Sequence, residues 1–216
     1  MKHYTRAGDL KNLLADGVAE IGIEVDDQHK RSMLGYLSLL KRWNRVYNLT
    51  TVNNDKDFVT RHLLDSLSVV PYLKGKKIID IGTGAGLPGI PVALACPDLE
   101  VTLLDSNAKR CRFLRQVQAQ LKLQNIKIVQ QRAEKFHPDE KFDSLLSRAF
   151  SRLSSYIACS GHLLEDDGRL LAMKGQWPGE ESETIAAGFR IENVIKLNVP
   201  GLAEQRHLVI CKRTHE

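Results

Sequence analysis

The segment Ile78-Ile79-Asp80-Ile81-Gly82-Thr83-Gly84-Ala85-Gly86-Leu87-Pro88-Gly89 constrains this chain more than any other. An apolar run reaches an aspartate and then opens into a loop with glycine at 82, 84, 86 and 89. Without a Cβ, glycine lets the backbone reverse sharply and come close to a ligand. A loop of this kind between a buried strand and a helix forms the ligand-facing turn of a doubly wound α/β sheet. The segment therefore predicts such a sheet, with a nucleotide-like cofactor lying against the loop.

Two registers of that loop are open. The dinucleotide fingerprint G-x-G-x-x-G fits Gly84 to Gly89, but its first glycine should follow the strand directly, and Gly84 comes two residues late. In the register set by the strand, the pattern is Gly82-x-Gly84-x-Gly86 with Asp80 ahead of it. That pattern looks like the S-adenosylmethionine (AdoMet) loop of Rossmann-like methyltransferases. AdoMet has no pyrophosphate for a helix N-terminus to hold, so the rest of the nucleotide site bears on the choice.

Glu100 to Ser106 reads as a second buried strand, and its closing acid, Asp105, stands 23 residues beyond Gly82. An acid there can accept hydrogen bonds from ribose hydroxyls. A third strand, Ile126 to Gln130, runs into Gln131-Arg132-Ala133-Glu134, the tip that usually meets adenine in AdoMet enzymes. Any one of Asp80, Asp105 and Glu134 alone would be an ordinary strand-end acid. Together they end three successive strands and point to a cofactor site.

The 216 residues, 43% of them hydrophobic and 26% charged, suit a soluble domain with an elaboration at one end. The apolar runs are too short to span a membrane, and Met-Lys-His-Tyr-Thr-Arg lacks the apolar core of a signal peptide. Cysteines at 96, 111, 159 and 211 have neither C-x-x-C nor metal spacing. A cytoplasmic, metal-free protein is expected. The net charge is +5, but Asn107 to Lys135 alone holds eight Lys/Arg against one acid, Glu134. Acids at helical spacing that would make this a paired surface are missing, so a phosphate backbone is the expected partner of the patch.

Residues 1–72 read as a helical extension and 73–216 as a Rossmann-like domain. Apolar positions 10, 13, 14, 18 and 21 mark one helix. A second, capped by Asp26 or Asp27, carries Met33, Leu34, Leu37, Leu40 and Trp43 inward. A third follows Asp55, with Phe58, His62, Leu63, Leu67 and Val70, and stops at Pro71. Beyond Lys76, short strands alternate with helical stretches, as in a parallel sheet with crossovers. Further strands are expected at 142–147, 169–174, 193–197 and 207–211, the last two paired antiparallel because no helical pattern separates them.

Several segments in this order resemble a named family: Trp43 to Thr50, Arg61 to Ser66, Asp80 to Gly89, Leu104 to Arg110, Phe113 to Arg115, Arg132 to Glu134, Ser147 to Phe150 and Met173 to Gly175. The set is similar to the ribosomal small-subunit RNA methyltransferase G family, also called glucose-inhibited division protein B. The likeness runs from about residue 25 to Arg206. It implies a seven-stranded, mostly parallel AdoMet-dependent methyltransferase sheet with an antiparallel C-terminal hairpin. It also implies methylation of guanine 527 of 16S ribosomal RNA at N7; whether naked RNA, the small ribosomal subunit or an assembly intermediate is the substrate stays open, and a monomer is expected.

Carried onto this chain, the resemblance places Gly82 and Leu87 at the methionine end, with Ala133 and Glu134 at the adenosine. Asp80, Gly84 and Asp105 complete the cofactor set. Arg148 is expected between cofactor and incoming base, as the catalytic residue. Lys109, Arg112, Arg115, Arg132, Lys174 and Arg206 are the expected RNA contacts. His62 with Asp65 reads as a packing pair outside the ligand edge, and Trp43, Tyr47 and Asn48 as an interdomain seam. The competing readings are an NAD-dependent oxidoreductase on the offset glycine register and a non-catalytic RNA-binding assembly factor.

Overall fold

The computed structural model describes residues 7–150, 152–177, 185 and 187–214. Helix α1 spans Ala7–Ile21 and α2 spans Asp27–Tyr47. Asp26 is the N-cap of α2 and accepts the His29 amide at 2.7 Å, satisfying a backbone donor that the first turn leaves open. One stripe of α2 buries Met33, Tyr36, Leu37 and Leu40. Burying each such leucine is worth roughly 1.5–3 kcal/mol. At its C-terminus Asn48 takes a left-handed conformation (φ 49°), and the Asn44 carboxamide accepts the Thr50 amide at 2.8 Å. The chain is thereby turned back toward the sheet.

The third helical stretch is not regular. It begins as α3 (Asp55–Asp57), widens into a π-helical segment over Phe58–Leu64, and returns to α-helix in α4 (Asp65–Leu67). Widened turns of this kind often mark functional sites, because they re-aim the side chains that follow. A plain helical period is what the sequence suggested; the apolar spacing does not separate 3.6 residues per turn from the wider form over so short a run.

Seven strands follow: β1 (Lys77–Ile81), β2 (Glu100–Asp105), β3 (Ile126–Gln130), β4 (Phe142–Ser147), β5 (Leu164–Lys174), β6 (Phe189–Leu197) and β7 (Arg206–Arg213). Their order is β3-β2-β1-β4-β5-β7-β6. The strands from β3 to β5 pair parallel, and β7 pairs antiparallel with both β5 and β6. Chain order reverses on either side of β1, so a ligand crevice opens beyond the carboxyl ends of β1 and β4.

Side chains alternate between two apolar layers, as strand geometry requires. Ile78, Val101, Leu103 and Leu146 face α1, α2, α5 (Gly89–Ala95) and α6 (Ala108–Leu121). Ile79, Ile81, Leu104 and Leu145 face α7 (Leu153–Ser160).

The strands expected at 169 and 193 start earlier, at Leu164 and Phe189. Both carry an irregularity just where the sequence signal begins. Phe142 pairs with Leu164 and Ser144 with Arg169, and in the other ladder the register shifts between Ile191 and Asn193. Polar residues in these bulged lead-ins hide the strand from an alternation test.

Candidate active site

Each glycine of the loop after β1 meets a different demand. Gly82 has φ +67°, and a Cβ there would sit 3.0 Å from the Ala149 Cβ. Gly89 is needed for space, since a Cβ would come within 2.3 Å of the Leu103 side chain where α5 crosses β2. The amides of Gly82 and Thr83 both donate to the Leu104 carbonyl, at 2.9 and 3.1 Å, tying the loop to the tip of β2. From the other side Tyr36 of α2, fully buried, donates its hydroxyl to the Ala85 carbonyl at 2.7 Å. Burial pushes that phenol well above its ordinary pKa, so it stays a donor.

Two lobes of one cleft lie around this loop. A lobe of about 180 Å³ is lined by Gly82, Asp105, Ser106, Gln131, Arg132, Ala133, Glu134, Ala149 and Phe150, among others. A second, of about 390 Å³, is lined by Gly82, Thr83, Gly84, Leu87, Arg110, Arg148 and Ala149, with Thr50 and His62. Gly82 and Ala149 belong to both, so a side chain at 82 would close the neck between them. The first lobe offers carboxylates for ribose hydroxyls and the second a glycine-rich wall. This division fits AdoMet, an adenosine joined to an amino acid.

It does not fit a dinucleotide. The α5 N-terminus, where a pyrophosphate would rest, is already taken: Asp80 Oδ2 accepts the Gly89 amide at 2.8 Å and the Thr83 hydroxyl at 2.6 Å. A carboxylate there would repel phosphate. Asp80, expected in the cofactor set, is fully buried and braces the loop from behind.

Asp105 also differs from expectation. Its Oδ2 accepts the Gly84 amide at 2.9 Å and Arg110 at 3.2 Å, and its Oδ1 accepts the Asn107 amide at 2.8 Å. A carboxylate has about four acceptor sites, so three are occupied within the chain. Glu134, exposed in a short 3-10 turn after β3, has no such commitments among the described residues. Arg110, which the sequence placed only in the basic stretch, lines both lobes.

The second lobe opens into a cavity of about 560 Å³ lined by Thr50, Thr51, Val52, Arg61, His62, Asp65, Arg148, Met173, Lys174, Gly175, Leu197, Arg206 and His207. Thr50, His62 and Arg148 line both spaces. Arg148 therefore stands where the two spaces meet, and Lys174 and Arg206 line the outer chamber. His62 and Asp65 had been placed outside the ligand edge; the structure puts them in its wall, because the π-helical stretch packs across the end of the sheet. Their polarity alone does not single them out, because Thr60, Arg61, Ser66 and Ser68 share the run from Phe58 to Val70.

Asp65 is buried and binds two arginines, Arg148 Nη1 at 2.9 Å and Arg206 Nε at 3.1 Å. Arg148 Nη1 also donates to the Arg61 carbonyl at 3.2 Å. His62 pairs with the Thr50 hydroxyl at 2.8 Å through Nε2. Burial, and next the charge of Arg148, lower its pKa to about 4. His62 is thus neutral near pH 7.

Among the expected RNA contacts, Lys109, Arg112 and Arg115 are exposed on α6 and form no ion pair among the described residues. Arg132 instead borders the smaller lobe. Trp43 sits between Tyr47 and Phe113 of α6, with ring centroids at 5.1 and 5.5 Å, so it seals α2 against the sheet's helices. No helix among the described residues is long and apolar enough to cross a membrane.

Known structures share this architecture. The glycopeptide N-methyltransferase MtfA complexed with S-adenosyl-L-homocysteine superposes with a TM-score of 0.58 at 13% identity, over 71% of this chain and 87% of that one. A SAM-dependent methyltransferase from Aquifex aeolicus gives 0.56 at 15% identity, over 76% and 96%. Sequence relatives are much nearer. "Ribosomal RNA small subunit methyltransferase G" of Salmonella typhimurium strain LT2 is 47% identical over 201 residues, 93% of this chain and 97% of that protein. The protein of the same name from Nitrosococcus oceani is 46% identical over 199 residues, 92% and 93% of the two chains. The family model described as rRNA small subunit methyltransferase G matches residues 29–209. The family match and these relatives, which cover nearly the whole chain, show that it belongs to the rRNA small subunit methyltransferase G family.

Proposed function

We propose that this enzyme transfers the methyl group of AdoMet to N7 of guanine 527 of 16S ribosomal RNA. The observation that carries the reading is the position of Arg148, where the cofactor cleft opens into the larger chamber. When bound, AdoMet supplies an electrophilic methyl group on a sulfonium. Gly82, Gly84 and Leu87 would line its methionine end, and Ala133, Glu134 and Asp105 its adenosine end.

Guanine N7 has an in-plane lone pair and carries no proton, so the acceptor needs no general base. The cavity agrees with that requirement. With its pKa lowered to about 4, His62 is a weak base and is already paired to Thr50, and Asp80 is sealed behind the loop. What remains for the protein is alignment and a suitable field. Arg148 has N–H donors beyond those given to Asp65 and the Arg61 carbonyl, and these can orient the base edge. The outer chamber holds one base out of its stack, with Lys174 and Arg206 in its wall.

Lys109, Arg112 and Arg115 provide an exposed cationic face for flanking phosphates, and Arg132 adds a cation at the adenosine end. The substrate is 16S RNA, naked or within the small subunit or an assembly intermediate, and the enzyme acts as a cytoplasmic monomer. The test is primer extension after reduction and cleavage at N7-methylguanine, on RNA extracted after naked 16S RNA, small subunits and assembly intermediates from a deletion strain have each been incubated with or without purified enzyme and AdoMet. A stop at guanine 527 that returns only with enzyme and cofactor is the expected result. Its absence, or a stop elsewhere, overturns the assignment.

A further inference from the structure

The two arginines of the outer chamber come from distant parts of the chain. Arg148 follows β4, Arg206 begins β7, and β5 lies between those strands in the sheet. What joins them is Asp65, carried by neither strand but by the helical extension. Each of its oxygens takes one guanidinium, Oδ2 from Arg148 at 2.9 Å and Oδ1 from Arg206 at 3.1 Å. The Asp65 side chain is only 5% exposed, while the arginines are 24% and 21% exposed. All three residues line the chamber, the carboxylate nearly buried in its wall and the two cations the more exposed members of the cluster.

We propose that Asp65 is a positioning residue for methyl transfer. It locks Arg148 and Arg206 into one rigid unit with a single net positive charge, whose remaining N–H donors face the substrate. This rests on the function proposed above. An arginine on a long, flexible stem loses its aim unless its guanidinium is tied down, and misplacement by about 1 Å can cost on the order of 100-fold in rate. Arg148 uses Nη1 for Asp65 and the Arg61 carbonyl, leaving Nε and Nη2. Arg206 uses Nε for Asp65 and one Nη1 hydrogen for the Gln205 carbonyl, leaving the other Nη1 hydrogen and Nη2. The carboxylate also offsets one of the two charges, so the chamber does not grip phosphate indiscriminately.

Asp65→Asn tests this, because it keeps shape and one acceptor while removing the charge. Under the proposal kcat falls by roughly 10- to 100-fold while AdoMet affinity by calorimetry stays near wild type. RNA binding moves the other way. It tightens at low salt, and its log–log salt dependence steepens by about 0.7–0.9 for the cation set free. Asp65→Glu, which retains the charge, recovers part of kcat. A purely structural aspartate would not give slower chemistry with tighter RNA binding. Wild-type kcat in Asp65→Asn, or parallel loss of kcat and RNA affinity, overturns the proposal.

A double-mutant cycle with Arg206→Gln keeps the question open to test even where Asp65→Asn folds poorly, since the double variant again balances the buried charges. Residues acting as one unit give a double variant no more than about threefold slower than the slower foldable single variant; losses that multiply overturn the proposal. Wild-type enzyme is the control throughout: if it places no methyl group on guanine N7, the functional assignment fails instead.

Discussion

Replacing Asp80 by asparagine isolates the cost of one buried charge beneath the glycine loop. Asp80 is fully buried, and its Oδ1 has no hydrogen-bond partner among the described residues. Burial is the dominant influence on its pKa and outweighs the hydrogen bonds from Thr83 and Gly89, raising it from 3.8 to about 6. Each pKa unit is about 1.4 kcal/mol, so the displacement corresponds to on the order of 3 kcal/mol. Because the folded state raises the pKa, the stability contributed by this group is complete below about pH 4. It is lost as pH rises through about 6. Near neutrality the fold bears the full cost of the ionised carboxylate.

Asparagine is close to isosteric and does not ionise. Its carbonyl oxygen can accept the Thr83 and Gly89 hydrogen bonds, and any cost of its buried amide group is the same at every pH. Urea unfolding of both proteins across about pH 4 to pH 7 gives a difference curve free of all other titrating groups. The unfolding free energy of wild type relative to Asp80→Asn should fall by on the order of 3 kcal/mol over that range, mostly below about pH 6. Parallel curves would show that Asp80 is not a buried, strained carboxylate, and the account of how the loop is held would be wrong.

Gly82→Asp should abolish AdoMet binding in calorimetry, since the new side chain closes the neck between the lobes at a position with φ +67°; retained affinity would displace the cofactor from this cleft. Alanine at both Arg112 and Arg115 should weaken RNA binding and flatten its salt dependence by roughly 0.7–0.9 per lost phosphate contact. AdoMet affinity should stay unchanged, and an unaltered slope would remove α6 from the RNA interface. Arg148→Ala should fold and bind both substrates yet lose most methyl transfer, with lysine a poor replacement because it lacks the planar fork. Wild-type turnover in either Arg148 variant, or an alanine variant that fails to fold, would return this residue to a structural role.

The sheet was readable because its signals are local. The strand ending in Asp80, the acid-tipped β2 and the hairpin of β6 and β7 each show in a window of a few residues. The glycine loop shows itself the same way, through backbone demands that few other residues meet. What could not be read depends on contacts made across the chain. Asp105 stands at the tip of β2 as expected, but only the fold reveals that Gly84, Asn107 and Arg110 take most of its acceptor capacity. Likewise no local pattern tells that His62 and Asp65 meet Thr50 and Arg148, because the π-helical widening of Phe58–Leu64 and the packing of the extension decide where those side chains point.

The helical extension therefore does more than cover one face of the sheet. A glycine loop and strand-tip acids alone make a cleft for a nucleotide cofactor, and many chemistries can be built on such a cleft. Here the loop's far side is held by the Tyr36 hydroxyl of α2, and the wall between cofactor and outer chamber includes Thr50 and His62. The aim of both chamber arginines depends on Asp65 of α4. Sheet and extension also share one continuous apolar layer, from Leu14 and Tyr36 through Phe113 to Leu146 and Leu208. A shift of the extension would thus move the acceptor's surroundings relative to the cofactor loop. Under the proposed function, packing between the two parts would therefore bear on how an acceptor base sits relative to the cofactor.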